Sequence, residues 1–382
     1  VILVALKMLV GDRLKYIGLV AGLTFAVTLI TQQAAIMGGF MSRMGSFVRD
    51  TGPADLWVMD PQRRFSEDLK PMNDTALGRV RGIDGVEWAV PMYKNWIRCR
   101  LPDGTLTQTI VVGLDDATLL GGPPEIVEGS LEELRRDGGV LIDHDERDGK
   151  MKMLMGGGRG LCLGDRLSFN DTDAVVVGTF RISRSFFWEP TVYTTFSRAA
   201  RFAPAERRTT SFVLVKVREG HTVADVQRRI EGATGLAAYT SEQFERKTTD
   251  FLAGSTGIKA NFGLAILLGF VIGLLVSGQT LYQFTLDNLR HFAALKAMGA
   301  TDFMLIRMVC TQVLVVGAAG YGVGLGAASL LGTLIDSMGL AFQMSWGIPV
   351  FSGAAMLGIC LVAGVLSLAR VLRLEPGIVF KS

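Results

Sequence analysis

Residues 260–301 read ANFGLAILLGFVIGLLVSGQTLYQFTLDNLRHFAALKAMGAT. Positions 260–286 hold no Asp, Glu, Lys or Arg; Asp287, Arg290 and Lys296 then arrive together. An uncharged stretch of this length exceeds the roughly 20 apolar residues that cross a bilayer. The piece after it has helical spacing, and Gly299 stops it. It is either a connecting loop at a membrane surface or a working part.

Three further windows, 16–42, 308–335 and 337–369, also lack these four residue types. A central Lys, Arg or Asp costs about 2.5–3.5 kcal/mol on insertion scales, so the four windows predict four transmembrane helices. A mean hydropathy of +0.35 agrees. The first window exceeds the roughly 7–15 residues of a signal-peptide core, and no A-x-A site follows, so it reads as a retained helix. The length and Gly content of the others argue against core helices of a soluble protein. The sequence opens on Val1, and a few preceding residues are expected.

Lys7, Arg13 and Lys15 precede the first helix; Arg290, Lys296 and Arg307 lie between the second and third; Arg370, Arg373 and Lys381 follow the fourth. The joint from Asp336 to Pro349 has no Lys or Arg. The positive-inside rule then puts both termini and 287–307 in the cytoplasm and the long middle region outside. The fold class expected is an α-helical membrane domain of four transmembrane helices. A large α+β extracytoplasmic domain is inserted between helices 1 and 2. The divisions are 1–15 (amphipathic cytoplasmic segment), 16–42 (helix 1), 43–257 (outer domain) and 258–286 (helix 2). After these come 287–304 (cytoplasmic helix), 305–336 (helix 3), 337–347 (short outer loop), 348–370 (helix 4) and 371–382 (tail).

Within the outer region, ADLWVM (54–59) alternates as a strand, and NDTALGRVRGI (73–83) offers Asn73 or Asp74 as the N-cap of a short helix. VEWAVPMYKNWIRCRL and TLTQTIVVGL follow as strands around a PDG turn. SFVLVKVREG, HTVADVQRRIEGATG with Thr222 as N-cap, and LAAYT repeat the strand–helix–strand order. Two β-α-β units are thus split by a mostly β insertion, about 115–205, with NDTD as the turn of a hairpin over 164–180. Ser241 starts another capped helix, and MSRMGSFVRD extends helix 1. The two extensions are expected to form a stalk that carries motion.

Chemical motifs are sparse. MGGGRG (155–160) is followed by Leu161 and Cys162 rather than Lys-Ser/Thr, so it reads as a turn and not a phosphate loop. DHDERD (143–148) reads as a solvated loop, with a metal site as the alternative. No Cys/His spacing resembles a zinc site, and no hydrolase motif occurs. Cys99 and Cys162 admit a disulfide or two unrelated thiols; Cys310 and Cys360 read as packing residues. Phe186, Phe187 and Trp188 read as core packing or as contact with a partner protein or lipid. The helices carry no mid-depth ionisable group of the kind ion-coupled transporters use. Gln312 reads as an interhelical hydrogen bonder. Gly269/Gly273, Gly320/Gly324 and Gly322/Gly326 permit close helix contact, within the chain or with a second copy. The net charge of +3 follows from topology and not from nucleic acid binding.

Helix 288–299 is about 18 Å long at 1.5 Å per residue. Leu289, Phe292, Leu295 and Lys296 share a face, with Met298 nearby. Such a face suits a partner's groove or the membrane surface.

The arrangement resembles the MacB/FtsX-type permeases of ABC systems. QFTLDNLRHFAALKAMGATDF is similar to their cytoplasmic R-x-x-E-[IF]-x-x-L-[KR]-A-[LM]-G-A segment: Arg290 and LKAMGA (295–300) fit, whereas the family's Glu is replaced. ARVLRLEPGIVFKS is similar to the closing R-x-x-R-x-x-P motif, and LCLGDRLSFNDTDAVVVGTF to the outer domain's strand pair. ALKMLVGDRLKYIGLVAGLTFAVTLI is especially like DevC-type permeases, known from glycolipid export. The resemblance implies two permease copies on a cytosolic ABC ATPase dimer. That dimer would bind ATP and Mg, so this chain would be non-catalytic and without a cofactor of its own. It implies docking through Leu289, Arg290, Phe292, Leu295, Lys296, Met298 and Gly299. It further implies a bacterial inner-membrane location, a periplasmic membrane-fusion protein, an outer-membrane channel and an amphiphilic cargo in contact with membrane lipids. An FtsX-like transducer that activates a periplasmic partner without transport is the alternative.

Overall fold

The computed structural model describes residues 2–11, 13–73, 75–154, 158–204 and 209–372. In chain order its elements begin with α1 (Ile2–Gly11), α2 (Arg13–Met44), α3 (Ser46–Asp50), β1 (Leu56–Met59), α4 (Ala76–Arg81), β2 (Val86–Arg100) and β3 (Leu106–Leu114). There follow β4 (Glu125–Glu128), a 3-10 turn at Leu131–Arg135, β5 (Gly139–Asp143), β6 (Arg166–Phe169), β7 (Thr172–Arg181), β8 (Thr191–Thr195) and α5 (Phe196–Phe202). The last are β9 (Phe212–Val217), α6 (Val223–Thr234), β10 (Ala237–Tyr239), α7 (Ser241–Ser255), α8 (Ile258–Asp287), α9 (Leu289–Ala297), α10 (Asp302–Ser337) and α11 (Gly347–Leu372). Two compact units result: Val1–Phe40 with Gly257–Ser382, and Met41–Thr256.

In the helical unit, α2, α8, α10 and α11 are, among the described residues, long and apolar enough to cross a membrane. Leu23, Ala26, Val27 and Ile30 of α2 meet Leu281 and Phe284 of α8, Val309 of α10 and Ile359 of α11 in one apolar cluster. Outward faces are apolar too: Leu267, Leu268 and Leu275 of α8 and Leu361 and Val365 of α11 are exposed. Hydrocarbon accepts such faces, and helices satisfy their own backbone there. Gln312 does bridge helices, donating from Nε2 to the Ala5 carbonyl of α1 at 3.0 Å. Lys15 pairs with Asp287 at 2.5 Å, so the start of α2 and the end of α8 share one end of the bundle.

In the α+β unit, the two β-α-β repeats give four antiparallel neighbours in the order β10-β1-β9-β2. Strand alternation sorts the side chains. Leu56, Val58, Val213 and Val215 turn toward α4 and α6, whereas Trp57, Met59, Phe212 and Leu214 enter a second core. β2 is long enough to pair with β9 over Val86–Met92 and with β3 over Tyr93–Arg100. The insertion continues from there. β3-β8-β5-β7 pair in series, and β6 joins β7 back to β2, closing a six-stranded ring around Ile97, Val111, Ile142, Phe169 and Val176. The β6–β7 turn places Asn170 and Asp171 at φ 48° and 63°, the left-handed pair that a tight hairpin requires.

Helix starts are corrected in two places. Thr75, not Asn73, occupies the cap position of α4 and makes no side-chain cap bond; Asp74 lies outside the described residues. Thr240 rather than Ser241 caps α7, in a box with Gln243. Ser241 instead accepts a hydrogen bond from Trp57 Nε1 at 3.1 Å. Thr222 caps α6 as expected, accepting from the Asp225 backbone.

Candidate coupling site

The ladder of α8 ends at Asp287, and the Asn288 side chain donates to the Phe284 carbonyl at 2.9 Å. The helix restarts as α9 with Phe292 and Ala293 each 1% exposed. Leu289 and Leu295 are partly buried against the same cluster, which includes Leu305 and Met308 of α10. The apolar stripe expected to dock a partner therefore faces the helical unit's own core. Arg290, His291, Met298 and Gly299 are exposed. In the register set by LKAMGA (295–300), the motif's Glu falls on His291, which is exposed.

Gly299 ends α9 at φ +96°. Ala300 N donates to Leu295 O at 3.0 Å and Gly299 N to Lys296 O at 3.1 Å, the paired bonds of a Schellman stop. Lys296 is occupied by Asp302 at 3.0 Å, which ties α9 to the first turn of α10. Phe303, in that turn, is 74% exposed, and Met298 is 76% exposed. Sequence reasoning missed Phe303. The available signal was an aromatic directly beyond the glycine stop, beside charged residues.

The glycine pairs separate into two groups. A Cβ on Gly269 would lie 2.8 Å from Leu29, and one on Gly273 2.5 Å from Ala26, so α8 presses on α2. On α10, Gly320 would meet Leu23 at 2.7 Å and Gly324 Val27 at 2.8 Å. Gly322 and Gly326 face open space, with nothing within 4 Å.

A second candidate lies where the chain enters and leaves the α+β unit. α3 is held to the segment after β7. Asp50 accepts from Ser183 N at 2.7 Å and from Ser183 Oγ at 3.2 Å, and Ser46 Oγ donates to Arg184 O at 3.4 Å. Arg49 pairs with Glu245 of α7. Phe186, Phe187 and Trp188 are half-buried here. Phe187 packs edge-on against Trp96 at 5.2 Å and lies 6.2 Å from Phe65, which stacks on Phe251 of α7 at 5.3 Å. Trp188 lies under the Arg43 guanidinium at 5.3 Å. These aromatics knit β2, α7 and the 60–70 loop together, which matches the packing reading of RSFFWEP. Behind them Lys94 pairs with Glu67 at 2.6 Å and sits 3.3 Å from the Phe47 ring centre. Arg63 lies 4.2 Å from the Phe212 ring centre, and burial lowers its pKa to about 10.

The profile of the MacB-like periplasmic core domain matches residues 17–233, and that of the FtsX-like permease C-terminal matches residues 262–376. The chain belongs to the MacB/FtsX-type permeases of ABC systems. The extracellular domain of the noncanonic ABC-type transporter YknZ from Gram-positive bacteria is 14% identical with a TM-score of 0.34, covering 49% of this chain and 98% of that one. The periplasmic region of MacB from Actinobacillus actinomycetemcomitans is 11% identical with a TM-score of 0.36, covering 52% and 94%. A domain of a putative permease from Porphyromonas gingivalis is 19% identical with a TM-score of 0.30, covering 50% and 90%. No curated protein matches the chain.

The remaining motifs of the permease fall as follows. Cys99 is buried, its thiol pushed up to about 12 by burial, while Cys162 is exposed; neither forms a disulfide. In DHDERD, Arg147 pairs with Glu128 at 3.4 Å, Asp145 with Arg181 at 3.5 Å, and His144 Nδ1 lies 3.2 Å from Thr179 Oγ1. Residues 155–157 of MGGGRG and 373–382 of the closing motif lie outside the described residues.

Proposed function

We propose that the permease receives the stroke of a separate ABC ATPase dimer at the α9–α10 corner and delivers it to its extracytoplasmic unit. Two permease copies would serve one ATPase dimer in a bacterial inner membrane, with both termini cytoplasmic. The observation that carries this reading is the exposure of Met298, at the end of α9, and of Phe303, in the first turn of α10, on a corner anchored by buried Phe292 and tied by the Lys296–Asp302 ion pair. Apolar side chains held out on an anchored corner suit a groove in another protein. Anchoring α9 into the helical core means that a push on this corner moves α8 and α10 with it.

The work performed is export of a lipid, glycolipid or other amphiphile, completed by a periplasmic membrane-fusion protein and an outer-membrane channel. The alternative is an FtsX-like transducer that drives a periplasmic partner without cargo. The ties among α3, α7 and the 183–188 segment favour that second reading, because they join entry and exit of the outer unit into one lever. ATP-dependent loss of a labelled amphiphile from vesicles holding permease and ATPase separates the two. The docking role is tested by Met298→Glu with Phe303→Glu. ATPase co-purification should fall at least tenfold with the permease still folded; unchanged recovery overturns the role.

A further inference from the structure

A cavity of about 470 Å³ opens in the α+β unit beside the seam where β6 meets β2. The seam is short, with only Cys99↔Phe169 and Arg100↔Ser168 paired. Arg98 and Arg100 line the cavity from alternate positions of β2, opposite Gln108 and Leu106 of β3. Both arginines are exposed, and neither has an ion-pair or hydrogen-bond partner among the described residues. Several other surface arginines of the unit are paired, among them Arg64 with Asp68, Arg159 with Asp165, Arg181 with Glu125 and Arg229 with Asp84. The same cavity has an apolar wall of half-buried Trp96 and of Leu106, the latter 58% exposed. Among the described residues one carboxylate, Asp171, also lines it, leaving the two guanidinium groups in excess there.

We infer that this cavity binds an amphiphile with a phosphate, sulfate or carboxylate head, the head between Arg98 and Arg100 and the apolar chain along Trp96 and Leu106. The volume lies within the roughly 300–1,000 Å³ of small-molecule sites. Guanidinium forks recognise such oxyanions through charge-assisted, bidentate bonds. The wall of Trp96 and Leu106 distinguishes this ligand from a free anion. The proposal does not depend on docking at the α9–α10 corner.

The test uses the full-length permease in neutral-lipid nanodiscs without ATPase, titrated with octyl phosphate. Arg98→Gln with Arg100→Gln supplies the background from partition into lipid. The expected result is saturable binding that weakens at least tenfold in the double variant, whose melting temperature stays unchanged because both side chains are exposed. Inorganic phosphate and octyl glucoside should each bind at least tenfold more weakly than octyl phosphate. Equal binding by the variant overturns the site. Equal binding of inorganic phosphate reduces it to a simple anion site, and equal binding of octyl glucoside removes the anionic head; either result also overturns the proposal. ATPase co-purification with the same variant stays normal, so failure here is distinguishable from failure of the docking reading.

Discussion

Lys94 Nζ lies 2.6 Å from Glu67 Oε1, and only 2% and 6% of the two side chains reach solvent. Burial lowers the Lys94 pKa, and Glu67 opposes that shift. Removing one partner of a buried pair leaves a charge stranded and costs about 3–5 kcal/mol. Glu67→Gln should therefore lower the denaturation midpoint of the full chain strongly, and Lys94→Met with Glu67→Met should recover much of the loss. In Glu67→Gln the folded state holds the Lys94 proton more weakly than the unfolded state does. Stability of that variant should thus climb as pH rises toward 10.5. A midpoint indistinguishable from wild type would mean that water reaches this pair.

Asp143 is 5% exposed, and burial pushes its pKa up to about 7 from 3.8. The folded state holds this proton over a range where the unfolded state has released it. Stability should consequently fall as pH rises from about 4 to about 7, by at most about 4 kcal/mol from this group. Asp143→Asn keeps an acceptor for the Asp145 N–H and should flatten that part of the melting-temperature profile, with a gain at pH 8. An unchanged slope counts against a buried carboxyl as its source.

Thr28 Oγ1 donates to the Thr24 carbonyl at 2.8 Å and shares that proton with Gly324 O at 3.1 Å, an approach that the bare backbone of Gly324 permits. Gly324→Val places atoms against Val27 and the Thr24 carbonyl and should cost about 1–3 kcal/mol by overpacking. Gly326→Val has open space and should leave the single chain's melting temperature unchanged. Comparing the two by thermal melts and by copy number separates packing within the chain from contact between copies.

Asp50→Ala removes the acceptor of both Ser183 bonds. Hydrogen bonds to charged groups contribute about 1.5–3 kcal/mol, so the 182–190 segment should open more readily. Hydrogen exchange should speed up there and in α3 while the exchange of β5 and β8 stays slow. If the rates in α3 do not change, α3 is not held by this segment.

Gly299 sits at φ +96°, which side chains with a Cβ rarely adopt. Gly299→Val should strain the α9 stop by about 1 kcal/mol or more and reduce ATPase co-purification without abolishing membrane insertion.

The membrane spans, the split β-α-β repeat and the Asn170–Asp171 turn were legible because each rests on a local rule: uncharged length, period-two alternation, or turn chemistry. The helical spacing of Leu289, Phe292 and Leu295 was legible for the same reason. What that face touches was not, since an amphipathic stripe looks alike whether it meets a partner, a bilayer or its own bundle. Packing against Leu305 and Met308 decided for the bundle and left Met298 and Phe303 outside. Gly322 and Gly324 are likewise indistinguishable in sequence; helix rotation put one in the open and the other against Val27.

Sequence alone thus determined which segments are apolar enough to cross a membrane, in what order strands and helices follow, and which family's motifs the chain carries. Tertiary structure decided which faces are free, how β6 closes the ring onto β2, and that Lys94, Glu67 and Phe47 meet. Backbone propensity and hydropathy act over a few neighbouring residues. Exposure, pairing and closure depend on residues far apart in the chain, and only packing brings those together.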